Sequence, residues 1–419
     1  MIKLISIVKF ISLFVLLLIL GGCWDQKETE EQAYVIAIGL DKAEESENLV
    51  KVTYLISNPE AGTAAVGGGS SSEPPREIIS FEAEDFVTSR NLANTVIAKQ
   101  ITYDILQIIV VSEDFARDDD FVRWIYDATK SMEIRRDSKL LITKEDTLTF
   151  LEINQPKLET RPHEYFKMLF ARGKETAMLP VSDLNTFFRI TEADADLFLG
   201  IYGTTEKSEK QHGKEPDQVI AGEFHYEGET NPTEFAGAAV FKEGKMIDVI
   251  TIEDTRLAFL LNPTMNGVDI LASFPDPFDE NYHISTRVNK ISDIKIKMDL
   301  KKEQPEINVT LPVSIDLLSN HSMTEYQLNE QNKEKLKKSF EDTLEKLFKD
   351  FVKKTQEEYK TEPFGWSLIA RKKFLTIPEW EDFDWMKTYP DMKVNITVNV
   401  ELGSFGRQGG LPSLEEVRD

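Results

Sequence analysis

The sequence predicts an α+β protein: three mixed α/β domains, with an antiparallel β-rich C-terminal part that carries one long amphipathic helix. Three observations carry the α+β pattern. Short β-branched and aromatic runs alternate with helical spacing as far as residue 204, and residues 282–317 alternate apolar and polar side chains at period two. Residues 336–352 then place apolar side chains along one helical face. A chain of 419 residues with 41% hydrophobic content exceeds what one core usually serves, which by itself argues for two or three domains.

Residues 32–40 (QAYVIAIGL) and 49–57 (LVKVTYLIS) read as neighbouring strands separated by an acidic stretch. Residues 61–76 (AGTAAVGGGSSSEPPR) form a Gly/Ser tract closed by two prolines, which reads as a flexible loop. No Lys-Ser/Thr follows its glycines, so it lacks the pattern of a phosphate cradle. Strand alternation resumes at 77–84. Phe86, Arg90, Ala93 and Ile97 fall at helical spacing, 105–111 reads as a buried strand, and Phe121, Ile125 and Thr129 mark a helix before a strand at 139–143. Residues 162–173 read as a helix with proline in its first turn and glycine at its end. A strand at 196–204 leads into 205–217 (TEKSEKQHGKEPD), which has no apolar residue and reads as a domain boundary.

The middle segment is expected to hold strands near 219–226, 235–242 and 246–250 and a helix over 253–261. Phe274-Pro275-Asp276-Pro277 breaks that pattern. Beyond it, 282–289, 291–300 and 307–317 read as antiparallel strands with one wet face. Leu336, Phe340, Leu344, Leu347, Phe348, Phe351 and Val352 make one helical stripe, with Glu334/Lys338, Glu345/Lys349 and Asp350/Lys354 at i,i+4 on the exposed face. The sheet of its own domain is the expected partner of that stripe. Residues 393–402 (KVNITVNVEL) supply a closing strand, and the tail from Gly403 reads as mobile. The expected units are a leader at 1–22, an N-terminal α/β domain at 23–204, a middle α/β domain at 218–280 and a C-terminal domain at 281–419.

Cys23 is the only cysteine, and it follows Leu20-Gly21-Gly22 at the end of an apolar stretch over 10–20. Residues 1–9 carry two lysines and no acid, and the apolar stretch is shorter than the ~20 residues a bilayer-spanning helix needs. This reads as a bacterial lipoprotein signal. Cleavage before Cys23 would leave its thiol carrying diacylglycerol and its new amino group open to acylation, with each buried CH₂ contributing roughly 0.8 kcal/mol of membrane affinity. No disulfide within the chain is possible with a single cysteine, and no other cofactor is expected.

The chain carries a formal charge of −24, and loss of a leader with two lysines makes the remainder more acidic still. Phosphate backbones would repel it, so nucleic acid is not an expected partner. The same charge argues against lying flat on anionic lipid. The five histidines, His163, His212, His225, His283 and His321, are nowhere paired at i,i+3 or i,i+4, so no sequence-local zinc site is expected. His163-Glu164 begins like H-E-x-x-H, but Lys167 stands where the second histidine is required. Glu192, Asp194 and Asp196 alternate as calcium ligands could, yet the glycine and closing glutamate of an EF-hand loop are missing, which favours a solvated turn. No nucleophile elbow or P-loop occurs, and no enzymatic activity is expected.

Trp366, Trp380 and Trp385 lie within 20 residues, close to Glu362-Pro363-Phe364-Gly365 and Tyr389-Pro390. Aromatics this dense build a core or furnish a partner surface, and both readings stand. On the second, Phe364, Gly365 and Trp366 are the candidate contact.

Cys23-Trp24-Asp25 with Glu28, then Gly39-Leu40-Asp41, resembles the opening of the Ger(x)C lipoproteins, the C subunits of bacterial spore germinant receptors. Ile134-Arg135-Arg136-Asp137 before the strand at 139–144, Ala236-Gly237-Ala238-Ala239-Val240-Phe241-Lys242 with Glu253, Thr255 and Leu260-Leu261-Asn262, and Pro363-Phe364-Gly365 with Trp385 and Tyr389-Pro390 agree with that family in the same order. The Gly/Ser/Pro tract and Trp366-Ser367 depart from its pattern. The resemblance implies three α/β domains without enzymatic activity. It also implies a lipoprotein on the outer face of the spore inner membrane, assembled with A-type and B-type integral membrane subunits. A membrane-tethered solute receptor that captures a small nutrient itself is the rival reading.

Overall fold

The computed structural model describes residues 31–44, 46, 48–57, 76–210, 213 and 215–406. Two sheets organise them. β1 (Gln32–Lys42), β2 (Val50–Ser57) and β3 (Arg76–Ala83) form an antiparallel meander. Beyond β1 the sheet turns parallel through β5 (Ile108–Ser112), β6 (Lys139–Thr143) and β7 (Phe198–Thr204), with β4 (Gln100–Thr102) beside the start of β1. β8 (Glu234–Lys242) and β9 (Lys245–Ile250) close it antiparallel, giving the order β3-β2-β1-β5-β6-β7-β8-β9.

The parallel centre follows from composition. Every residue of β5 (IIVVS) is buried, as a strand covered on both faces requires. Val35, Ile109, Val111 and Ile142 face one core with Phe121, Phe187 and Phe241, whereas Ile36, Ile108, Val110 and Leu141 face another with Phe150 and Phe166. Period-two alternation thus serves two hydrophobic layers at once.

The second sheet has the order β10 (Ile270–Pro275), β11 (His283–Lys290), β13 (Glu306–Asn320), β12 (Lys295–Asp299), and β14 (Lys393–Leu402) also pairs with β13. The helix Glu330–Lys354 covers one face. Its Leu336, Phe340, Leu344, Phe348, Phe351 and Val352 are buried in one cluster with Ile307, Val309, Leu311, Val313 and Ile315 of β13. Asn329 caps the helix, its side chain accepting from the amides of Gln331 (3.1 Å) and Asn332 (3.2 Å). Glu345 and Lys349 pair as expected at 2.9 Å, while Lys338 pairs forward with Asp342 and Lys354 reaches Asp254 on another helix. The helix also quiets a sheet edge. Carboxylates of Glu345 and Glu341 accept from the amides of Val398 (3.2 Å) and Val400 (3.1 Å) on β14, which satisfies donors that an open edge would leave free for aggregation.

Several expectations change. Residues 219–226 form no strand: a turn at Ala221–Gly222, with Gly222 at φ +92°, and the Glu223 side chain accepting from the Ile220 amide break the ladder to isolated backbone bonds, Ala221 to Ala236 and Ile252 to Val219. The spacing from Phe86 to Ile97 yields only the short helix Ser89–Ala93. Phe274-Pro275 masks β10 in the sequence, since proline closes this edge strand where no further ladder donor is needed. β14 joins parallel to β13 because the long helix intervenes as a crossover. Residues 218–280, read as a unit of their own, are divided by the fold: β8 and β9 complete the first sheet, and β10 starts the second. The start of the tail read as mobile is tied to β13, the Gly403 amide donating to the Ile315 carbonyl at 2.9 Å and the Leu317 amide to the Ser404 carbonyl at 2.8 Å, and Arg76 opens β3. The Gly/Ser/Pro tract before Arg76, the tail past 406 and Cys23 lie outside the described residues.

Phe340 lies wholly buried between the helix and the second sheet, with its ring 5.1 Å from that of Phe274. Phe340→Ala is expected to destabilise the fold by about 3–5 kcal/mol, read from denaturant unfolding.

Candidate functional site

The helix Ile252–Leu261 leaves the first sheet and enters the joint between the two. Thr251 caps it by accepting from the Asp254 amide, and eight of its ten residues are buried, so it is packed on nearly every side. Its C-terminal carbonyls are collected by other elements. Lys290 of β11 donates to the carbonyls of Phe259 (3.2 Å), Asn262 (2.7 Å) and Met265 (2.7 Å), and burial lowers its pKa to about 8. Trp366 Nε1 donates to the Leu261 carbonyl at 3.1 Å. Arg256 pairs with Asp217, a desolvated cation held by one carboxylate and by the Thr176 carbonyl at 3.4 Å.

A strap after the long helix locks this joint. The Leu197 amide donates to the Glu362 carbonyl at 2.9 Å, and the Thr361 hydroxyl donates to the Ala195 carbonyl. The Glu362 side chain is wholly buried and accepts from the amides of Phe364 and Ser367 (3.1 Å for the latter). Gly365 supplies the turn between them at φ +74°, a conformation that L side chains rarely adopt. Asp196, itself 5% exposed, lies against Glu362 and Ser367. Desolvation first, and mutual repulsion second, push the Glu362 carboxyl well above the usual range. Burial raises Asp196 to about 6, opposed by bonding to Ser367 and by the charge of Arg189.

Beside the strap lies a cleft of ≈ 350 Å³. Val181, Leu199, Phe259 and Met265 give it apolar walls, Asp196 and Asn262 stand in its lining, and Lys174 and Arg189 are exposed at its rim. Among the described residues no group of three or more His, Cys, Asp or Glu side chains could hold a metal. The alternating acids separate: Glu192 accepts from the Tyr126 hydroxyl, Asp194 ends a helix at φ +49°, and only Asp196 is buried.

The candidate partner contact is corrected by burial. Phe364 and Trp366 have no exposed surface, their ring centroids lie 4.7 Å apart, and Phe351 packs on Phe364 at 5.6 Å. Both rings are core, and Gly365 is the half-exposed member, on the wall of the cleft. Sequence reasoning missed the Asp196–Glu362 pair and the Lys290 cap. The acids are too numerous to single out two that meet from remote parts of the chain. A lysine ending a period-two strand looks like any solvated lysine.

The chain matches two family models, "Spore germination protein N-terminal domain" over residues 25–203 and "Spore germination B3/ GerAC like, C-terminal" over residues 236–406. It is similar to spore germination protein B3 of Bacillus subtilis (strain 168), 21% identical over 406 residues that cover 96% of this chain and 98% of that protein. Spore germination protein KC of the same organism is 27% identical over 107 residues, covering 25% of this chain and 26% of KC. The crystal structure of the GerBC protein shares the fold with a TM-score of 0.50 at 16% identity, covering 87% of this chain and 96% of that one.

The acid pair makes stability depend on pH with a definite sign. Both folded-state pKa values are raised, so the folded chain holds protons that the unfolded chain has already lost. The stabilisation is complete below about pH 4 and is lost as pH rises through about 6 and beyond. Asp196→Asn, which removes one charge and keeps the shape, is expected to flatten the fall of melting temperature between pH 5 and 8, a difference on the order of 1–3 kcal/mol. Parallel curves for the variant and the parent would refute the coupling of the two buried carboxyls.

Proposed function

The chain belongs to the GerAC-like family of spore germination proteins, and on that basis we propose that it is the lipoprotein C subunit of a spore germinant receptor, acting without catalysis in assembly and function of the complex. The observation that carries this reading is the pair of family matches, over residues 25–203 and 236–406. Cys23 is the proposed lipid attachment site, since it is the only thiol and ends an apolar leader. The mature chain would sit on the outer face of the spore inner membrane, beside A-type and B-type integral membrane subunits. No helix among the described residues is long and apolar enough to cross a membrane. The lipid on Cys23 is the proposed means of attachment.

Tagged protein from spore membranes is expected to co-purify with those two subunits, and recovery without either would reject the assignment. Cys23→Ala is expected to leave the chain unprocessed or released from membranes and to weaken germination. Normal cleavage with full membrane retention would refute the anchor.

The rival reading, direct capture of a nutrient, would place a ligand in the cleft. The walls are built from groups that also hold the joint together: the Asn262 carbonyl accepts from Lys290, and Asp196 faces Glu362. Millimolar amino acids, sugars or nucleosides are therefore expected to give no saturable rise in melting temperature, whereas a ligand at 100 times its Kd would add about 2.7 kcal/mol.

A further inference from the structure

The first sheet has two ends. β1, β5, β6 and β7 run parallel, so Gln32, at the start of β1, lies at the same end of the sheet as the start of β7 at Phe198. The strap joins the first sheet at that end, through Ala195 and Leu197. Cys23 is nine residues before Gln32, so even fully extended chain allows about 30 Å between a lipid at Cys23 and the start of β1. An anchored body would keep this end close to the bilayer.

The chain that leaves the strap puts exposed aliphatic and basic side chains side by side. The helix Trp366–Arg371 leads into Arg371-Lys372-Lys373-Phe374-Leu375-Thr376-Ile377, and Phe374 alone among these seven is not exposed. Leu375 is 95% and Ile377 59% exposed, with Leu368 of the preceding helix at 39%. Phe374 pins the loop from beneath, its ring 5.6 Å from Trp380 and 5.0 Å from Phe383. Arg371, Lys372 and Lys373 form no ion pair among the described residues. Three adjoining cations without carboxylate partners stand out in a chain of net charge −24. Acids resume at Glu379, whose carboxylate is held by the amides of Leu375 (3.0 Å) and Thr376 (3.3 Å), and at Glu381 and Asp382 on the following helix.

We propose that the loop 371–377 is a bilayer contact, in which Arg371, Lys372 and Lys373 meet anionic lipid phosphates while Leu375 and Ile377 enter the headgroup interface. Basic side chains beside exposed aliphatic ones match the two layers of such a surface, charge outside and hydrocarbon within. The acidic body stays off the membrane and touches it at one corner. The distance argument rests on the lipid-anchor reading of Cys23, but the chemistry of the loop does not.

The test uses the chain from Trp24 to Asp419, which contains every element of both sheets and no cysteine. An N-terminal hexahistidine tethers it to nickel-chelating vesicles in place of the lipid, so failure of the Cys23 reading cannot affect the outcome. Leu375→Cys is labelled with an environment-sensitive nitrobenzoxadiazole dye, and Glu206→Cys, past the far end of β7, is the control. On vesicles containing phosphatidylglycerol, a blue shift and a severalfold rise in emission are expected at Leu375→Cys and not at Glu206→Cys. R371E/K372E/K373E, with an unchanged melting temperature, is expected to abolish the response. An unchanged spectrum at Leu375→Cys, an equal response on purely zwitterionic vesicles or in the charge-reversed variant, or a response only when membranes supply protein subunits would overturn the proposal, the last in favour of a protein contact.

Discussion

Burial of the helix Ile252–Leu261 on nearly all sides is the constraint from which the rest of the architecture follows. A helix with one apolar stripe can lie on a sheet and leave its other face wet, but eight buried residues in ten require cover from several elements. The first sheet supplies β8, the C-terminal region supplies the long helix and Trp366, and β11 supplies Lys290. One cluster therefore contains Ala238 and Val240 of the first sheet together with Val313 of the second sheet and Phe340 of the long helix. The sheets are fixed to each other by continuous packing, which explains why residues 218–280 do not behave as a unit of their own.

Much of this was legible because the signals were periodic. Leu336, Phe340, Leu344 and Phe348 announce both the helix and its buried face, and the structure places them there. Of the strands in the first sheet, β1 to β3 and β6 to β9 could be read within two residues of their observed bounds and β5 within three, whereas the three-residue β4 went unread and 219–226 was read as a strand that the fold lacks. Pairing was less legible. Nothing in KVNITVNVEL distinguishes a parallel neighbour from an antiparallel one, because half-buried alternation is the same in both. Membership of the second sheet by β10 depended on long-range packing of Phe274 against Phe340, which no local window contains.

The site was less legible still, and for a different reason. Tryptophan density marked the region between Glu362 and Tyr389, but composition cannot separate a core from a contact surface. Burial separates them residue by residue: Phe364 and Trp366 belong inside, whereas Leu375 and Ile377, two ordinary aliphatics a few residues on, remain outside. The aromatics that looked available for a partner hold the strap, and the side chains left available are the ones that drew no notice in the sequence.

Asp196 and Glu362 complete the same argument about what holds the joint. Burying two carboxyls is costly, and apolar residues of similar size would often give equal or greater stability. Their effect is directional. Glu362 fixes the amides of Phe364 and Ser367 around a left-handed glycine, and the backbone beside Asp196 bonds the strap through Leu197. Packing alone would let this segment slide along the helix Ile252–Leu261, since apolar contact has no preferred register. Hydrogen bonds to individual amides remove that freedom, and they set where the chain leaves the core toward Arg371. The position of the exposed loop is thus a consequence of polar groups buried several residues before it.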